Sequence, residues 1–125
     1  MSLLLFLAAI LGQTLRSGPI TAHRIQGGVA AYVLLGLIWA YAYGLVEVLH
    51  PGAFSWTGSP EDGPRAFLYL SFVTLTTTGF GDVLPVHPAA RSLANLEAVT
   101  GTLYLAILIS RLVSLAVTTG KQGRG

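Results

Sequence analysis

The chain has 125 residues, of which 53% are hydrophobic and only 10% charged, with a formal net charge of +2 and a mean hydropathy of +0.68. Soluble domains carry about 25% charged residues, and one core of this size cannot hide so much apolar surface, so the chain reads as a membrane protein. The absence of cysteine excludes disulfides and thiolate metal sites, His23, His50 and His87 lie too far apart to form a ligand cluster, and the scattered basic residues offer no concentrated face for nucleic acid.

Residues 3–15 are apolar but too short for a full span, which takes about 20 residues. No basic segment precedes them and no small-residue cleavage pattern follows, so they read as a membrane-inserted or interfacial helix rather than a secretory signal. Arg16-Ser17-Gly18-Pro19 ends that helix, because proline lacks a backbone donor and its ring clashes with the preceding turn. Residues 1–24 are thus a short apolar helix followed by a linker. The first convincing span is predicted over residues 25–49, long enough at about 37 Å to cross the hydrocarbon with some tilt. Trp39, Tyr41 and Tyr43 lie towards its far end and suit the water–lipid boundary, with Glu47 and His50 at or beyond it.

Residues 50–64 contain Pro51-Gly52, Gly58-Ser59-Pro60 and Gly63-Pro64 and read as a loop. Pro64 is well placed in the first turn of a helix, where its missing N–H costs nothing. The helix predicted over residues 64–76 is too short to cross a bilayer, and irregular backbone follows at residues 77–84. A short helix leading into irregular backbone is the pattern of a re-entrant segment, which must be shielded by protein or water. Pro88 opens the last helix, predicted over residues 88–118, with Glu97 and Arg111 as its only charges between Ser92 and Thr118. Arg111 lies near the inner end, where a long side chain snorkels to the headgroups. Residues 119–125 form a polar tail, disordered from Lys121 onward.

If both long helices span, Arg16, Arg24, Arg111, Lys121 and Arg124 fall on one side and Glu61, Asp62 and Asp82 on the other. The basic side is read as cytoplasmic, which puts residues 16–24 and the C-terminus inside and the Asp82 loop outside.

The segment Thr74-Leu75-Thr76-Thr77-Thr78-Gly79-Phe80-Gly81-Asp82 resembles the pore signature of potassium channels. Gly79-Phe80-Gly81 alone is a common triplet, and it is no dinucleotide fingerprint, since Leu84 stands where the third glycine would be needed. The threonine run before it, Asp82 and Pro85 after it, and a helix on each side make the resemblance specific, and it extends over about residues 25–117. It implies an all-α membrane protein with the potassium-channel pore fold over residues 25–118: outer helix 25–49, pore helix 64–76, selectivity filter 77–81 and inner helix 88–118. One filter strand per chain implies a homotetramer in the lipid bilayer of the cell membrane, conducting K+ passively without an organic cofactor.

In that family the filter carbonyls replace the hydration shell of the ion. Carried onto this chain, the carbonyls of Thr77, Thr78, Gly79 and Phe80 coordinate K+, the Thr77 hydroxyl adds the innermost ring of ligands, and Gly81, Asp82, Val73 and Thr74 support the filter. Gly79 and Gly81 permit the backbone angles that carbonyls facing one side demand. Relatives that fail to discriminate K+ from Na+ often carry another residue, such as aspartate, at the Phe80 position, so phenylalanine favours selectivity. The chain also departs from the family. Phe80 has no hydroxyl, Val73 occupies the place where some relatives have a glutamate, and Tyr69 and Leu70 stand where two tryptophans often occur. Asp82 thus lacks its commonest partners, with Tyr69 or Arg65 as substitutes, and packing of Phe80 against the pore helices is expected to do most of the bracing.

Gly101 matches the glycine often called a gating hinge; a helix-interior glycine costs about 1 kcal/mol relative to alanine, so bending or close packing is needed to account for it. Gly101, Leu105, Leu108 and Leu112 share one helical face, with Ile109 beside it, which either lines the cavity or packs on the outer helix. Glu97 is either functional or a carboxylate hydrogen-bonded behind the filter or near the outer interface. His87 reads as an exposed loop histidine, with pH sensing as the alternative. The competing functions are a poorly selective cation channel and a membrane scaffold whose gating comes from another domain or subunit. No nucleophile–base set or metal cluster is visible, which argues against an enzyme.

Overall fold

The computed structural model describes residues 4–5, 8–9, 22–57 and 63–123. Leu4, Leu5, Ala8 and Ala9 are helical, while the rest of the expected N-terminal helix, the Arg16-Ser17-Gly18-Pro19 break, and Glu61, Asp62 and Arg124 of the charge argument lie outside the described residues. The described chain continues as α1 (Ala22–Leu49), β1 (Phe54–Trp56), α2 (Gly63–Leu75), β2 (Val83–Pro85) and α3 (Pro88–Gln122). Neither long helix has a proline inside it, and both are apolar around most of their circumference. The stretches Arg24–Leu49 and Pro88–Ser114, with mean hydropathies of 1.9 and 1.6, are long and apolar enough to cross a membrane. In α3 the helix runs on through Lys121 and Gln122, residues expected to be a disordered tail. Nothing in Leu112–Gln122 interrupts it, because the only glycine there, Gly120, weakens a helix without breaking it.

The loop expected over residues 50–64 is partly a strand. Phe54, Ser55 and Trp56 pair antiparallel with Pro85, Leu84 and Val83, forming a two-stranded ribbon that joins the chain before α2 to the chain after it. Aromatic and β-branched residues favour this pairing, and proline is tolerated because a two-stranded ribbon consists only of edges.

Helix α2 is wedged between α1 and α3 and supplies the centre of both apolar clusters. One gathers Tyr43, Ala53, Phe54, Leu70 and Ala90, and the other gathers Ala31, Leu35 and Leu75. In the first, the Phe54 ring meets Tyr43 at 5.6 Å and Phe67 at 5.2 Å, both edge-on. Tyr43 is therefore a core residue and not an interfacial aromatic, whereas Tyr41 is 73% exposed. Two residues of helix rotate a side chain by about 200°, so the two tyrosines cannot share a face. Glycines set the closest approaches. A Cβ at Gly36 would stand 2.7 Å from the Phe72 ring, and one at Gly101 would overlap the Leu75 carbonyl.

Candidate functional site

The site begins where α2 ends. Thr77 adopts φ 60°, a left-handed conformation that a β-branched residue avoids. Its amide donates to the Thr74 carbonyl at 3.0 Å, and the Thr78 amide donates to the Val73 carbonyl at 2.8 Å. These two bonds form a Schellman cap, the usual ending of a helix, with threonine in the place normally taken by glycine. The cap gives orphan carbonyls of α2 their partners and offsets the cost of about 1–2 kcal/mol for the unfavourable angle.

The next turn of backbone fixes a direction. The Gly79 amide also donates to the Val73 carbonyl, at 3.2 Å. Two successive N–H groups thus converge on one acceptor. Peptide units are planar with N–H and C=O opposed, and no cis peptide bond occurs among the described residues. The carbonyls of Thr77 and Thr78 therefore both point away from α2, on the same side. The alternation continues, with positive φ at Gly79 (57°) and Gly81 (83°), while Thr78 and Phe80 keep negative values. A backbone alternating in hand lines up its N–H groups on one edge and its carbonyls on the other. The residues Thr76 to Asp82 are all exposed on the single chain. The C-terminal end of α2, which carries the negative pole of the helix dipole, leads directly into them and favours a cation there.

Val73 and Thr74 support this segment through their carbonyls, a role that side-chain reasoning about Val73 does not reveal. Downstream, the Asp82 carbonyl accepts both the amide and the hydroxyl of Thr57, each at 3.0 Å. The Asp82 carboxylate accepts the Val83 amide at 3.2 Å and interacts with the Tyr69 hydroxyl. Of the two substitutes expected for the missing tryptophans, the structure thus gives Tyr69. The Tyr69 ring also stacks on Phe80, with centroids 6.3 Å apart and planes inclined by 6°. Phe80 is otherwise 70% exposed, so packing within its own chain leaves most of the ring uncovered.

Behind α2, the Leu75 carbonyl receives the Tyr32 hydroxyl at 3.3 Å and lies against Gly101. Gly101 is thus buried by close packing, and of the face it shares, Leu105, Leu108 and Leu112 are half-buried while Ile109 is exposed. Further along α3, the Tyr104 hydroxyl donates to the Gly28 carbonyl and its ring lies 5.5 Å from that of Tyr32. Glu97 is fully buried, bonded to the Tyr43 hydroxyl and to Ser71 Oγ at 2.6 Å. His87 is half-buried and stacks on His50 with centroids 4.1 Å apart, so it is not the exposed loop residue expected. Ser71, Tyr32 and Thr57 were not singled out by sequence, and Tyr43 was read there only as an interfacial aromatic. Ser71 gave the one available signal, a small polar residue in an apolar helix too short to span.

Residues 31–118 match the model of an ion channel family. The chain is 32% identical over 98 residues to the inward rectifier potassium channel Kirbac3.1 of Paramagnetospirillum magnetotacticum, covering 75% of this chain and 29% of that protein. It is 32% identical over 84 residues to the two pore potassium channel c of Oryza sativa subsp. japonica, covering 67% and 17%. It is 32% identical over 106 residues to the potassium voltage-gated channel subfamily A member 10 of Mus musculus, covering 84% and 19%. The chain spans less than a third of the length of each of these relatives, whose shared segment is channel and not enzyme. With a short helix wedged between two apolar spans and a left-handed break at its end, the chain belongs to this ion channel family and has the fold of a potassium-channel pore domain.

Proposed function

We propose that four copies of this chain assemble around one axis in the cell membrane and pass K+ in preference to Na+. The observation that supports this best is the convergence of the Thr78 and Gly79 amides on the Val73 carbonyl, which leaves the carbonyls of Thr77 and Thr78 on the opposite edge. Placed around a four-fold axis, that edge and its continuation through Gly79 and Phe80 would face the ion, with the Thr77 hydroxyl as the innermost ligand. Neutral carbonyl dipoles replace hydration water without trapping a cation, and neighbouring ions repel one another onward. Gly81 and Asp82 would hold the outer end. The sidedness follows from charge: residues 16–24 and the C-terminus lie in the cytoplasm and the Asp82 segment outside. Gating by bending at Gly101 belongs to the same reading.

The test is flux from protein reconstituted in liposomes. Under bi-ionic K+/Na+ conditions the reversal potential is expected far from zero, on the K+ side. A value close to zero would replace selectivity with general cation conduction, and no flux from a folded assembly would favour a scaffold role. Crosslinking in mild detergent is expected to end at a four-subunit band, and a dominant dimer would remove the single-filter arrangement.

A further inference from the structure

Three helices meet at Glu97, and the hydrogens available there can be counted. The Gly36 carbonyl of α1 only accepts, so the single hydrogen of the Ser71 hydroxyl, 2.6 Å away, belongs to that contact. Glu97 Oε1 approaches the same Ser71 oxygen at 2.6 Å. One O–H bond cannot point along two such short contacts at once, because a hydrogen bond weakens steeply as it departs from linearity. The hydrogen for the second contact must come from the other partner. The second oxygen of Glu97 already accepts from the Tyr43 hydroxyl, whose own oxygen interacts with the Thr74 side chain.

We propose that Glu97 is a neutral carboxylic acid in the folded protein, donating its own hydrogen to Ser71, and that the resulting unbroken relay positions α2 between α1 and α3. The relay reads Thr74 to Tyr43 to Glu97 to Ser71 to the Gly36 carbonyl, and every contact in it then holds one hydrogen. An ionised Glu97 would leave two oxygens 2.6 Å apart with nothing between them. It would also bury a charge at a side chain that is 0% exposed even on a single chain. Assembly can only add cover, so neither solvent nor a partner copy supplies the missing hydrogen. Ser71 and Thr74 lie in the last two turns of α2, directly before the Schellman cap at Thr77, so the relay fixes the helix from which the filter segment starts. Glu97 acts through Ser71 and Tyr43, which makes it a positioning residue. The proposal stands on the packing of one chain and does not depend on which ion the pore passes.

Infrared difference spectroscopy of the reconstituted protein at neutral pH, wild type minus Glu97→Gln, reads the hydrogen directly. The carbonyl stretch of a protonated carboxyl group is expected in the wild type and absent from the variant. Glutamine offers an N–H to Ser71 and an oxygen to Tyr43, so Glu97→Gln is expected to melt within a few degrees of wild type. Glu97→Ala leaves the Tyr43 hydroxyl without its acceptor and the Ser71 oxygen without its donor, and is expected to melt roughly 5–10 °C lower. A carboxylate band in place of the acid band overturns the proposal. A glutamine variant that fails to fold, or melts with the alanine variant, overturns it as well. An alanine variant as stable as wild type would remove the positioning role.

Discussion

Replacing Gly101 by alanine probes the tightest approach between α3 and α2. In an unobstructed helix interior the exchange stabilises by about 1 kcal/mol, because alanine gives up less backbone freedom. At Gly101 the new methyl would overlap the Leu75 carbonyl oxygen and stand 3.0 Å from both the Leu75 carbonyl carbon and its Cδ1. That carbonyl has little room to retreat, since it closes α2 and receives the Tyr32 hydroxyl. Overpacking of this kind costs about 1–3 kcal/mol. Gly27 provides the control, because a Cβ there meets nothing within 4 Å on the chain. Gly27→Ala is expected to gain the full propensity term and Gly101→Ala to lose it to the clash, separating the two by about 1–3 kcal/mol, or roughly 4–10 °C in melting midpoint. The assay is thermal unfolding in detergent followed by circular dichroism, with K+ flux recorded on the same preparations. Because Leu75 ends α2 two residues before the left-handed Thr77, the flux of Gly101→Ala is expected to fall as well. A Gly101→Ala protein melting at or above Gly27→Ala would refute the packing account and leave bending as the reason for the glycine.

Four further substitutions test the remaining supports. Phe80→Tyr restores a hydroxyl beside the filter and is expected to prolong conduction as external K+ is withdrawn, while Tyr69→Phe, which keeps the ring stack but removes the contact with Asp82, is expected to shorten it. Identical decay of flux in wild type and both variants would end the bracing argument. Thr57→Val removes one of the two bonds to the Asp82 carbonyl and leaves the amide bond, for an expected cost of about 0.5–1.5 kcal/mol, read as a melting midpoint a few degrees lower. An unchanged midpoint would show that the hydroxyl adds nothing to the backbone tie. Tyr104→Phe keeps the ring pair with Tyr32 but loses the bond to Gly28, with an expected loss of about 0.5–1.5 kcal/mol in the same assay. A variant as stable as wild type would mean that the rings alone hold α1 to α3.

The elements that were legible in the sequence are those dictated by the solvent. A bilayer requires about 20 apolar residues per span, and a thirteen-residue apolar helix followed by glycines has few other uses. The positive φ of Gly79 and Gly81 was legible because left-handed backbone selects glycine. Thr77 was not, since its angle is imposed by the cap on α2 against the preference of a β-branched side chain. Tyr43 was misplaced for a different reason. Helix α1 is apolar all round, so nothing local distinguishes a tyrosine facing lipid from one facing Glu97, 54 residues along the chain. The ribbon between β1 and β2 escaped because three residues are too few to show an alternating pattern. Family likeness pointed to residues 77–81, but the likeness does not say that the Val73 carbonyl receives the Thr78 and Gly79 amides.

The supports found here are unevenly distributed along the filter segment, and the gap itself is informative. At the inner end, the Val73 and Thr74 carbonyls hold three successive amides; at the outer end, Thr57 holds the Asp82 carbonyl by two bonds. Both are backbone attachments, so they constrain the path of the chain whatever side chains occupy it. Between them, the Tyr69–Phe80 stack is what holds Phe80, which remains 70% exposed on its own chain. A large aromatic side chain left so open has apolar surface still to cover. Under the four-fold arrangement proposed above, the neighbouring copy is the surface available to cover it. Rigidity at the centre of the filter would then be a property of the assembly, and rigidity at its ends a property of each chain.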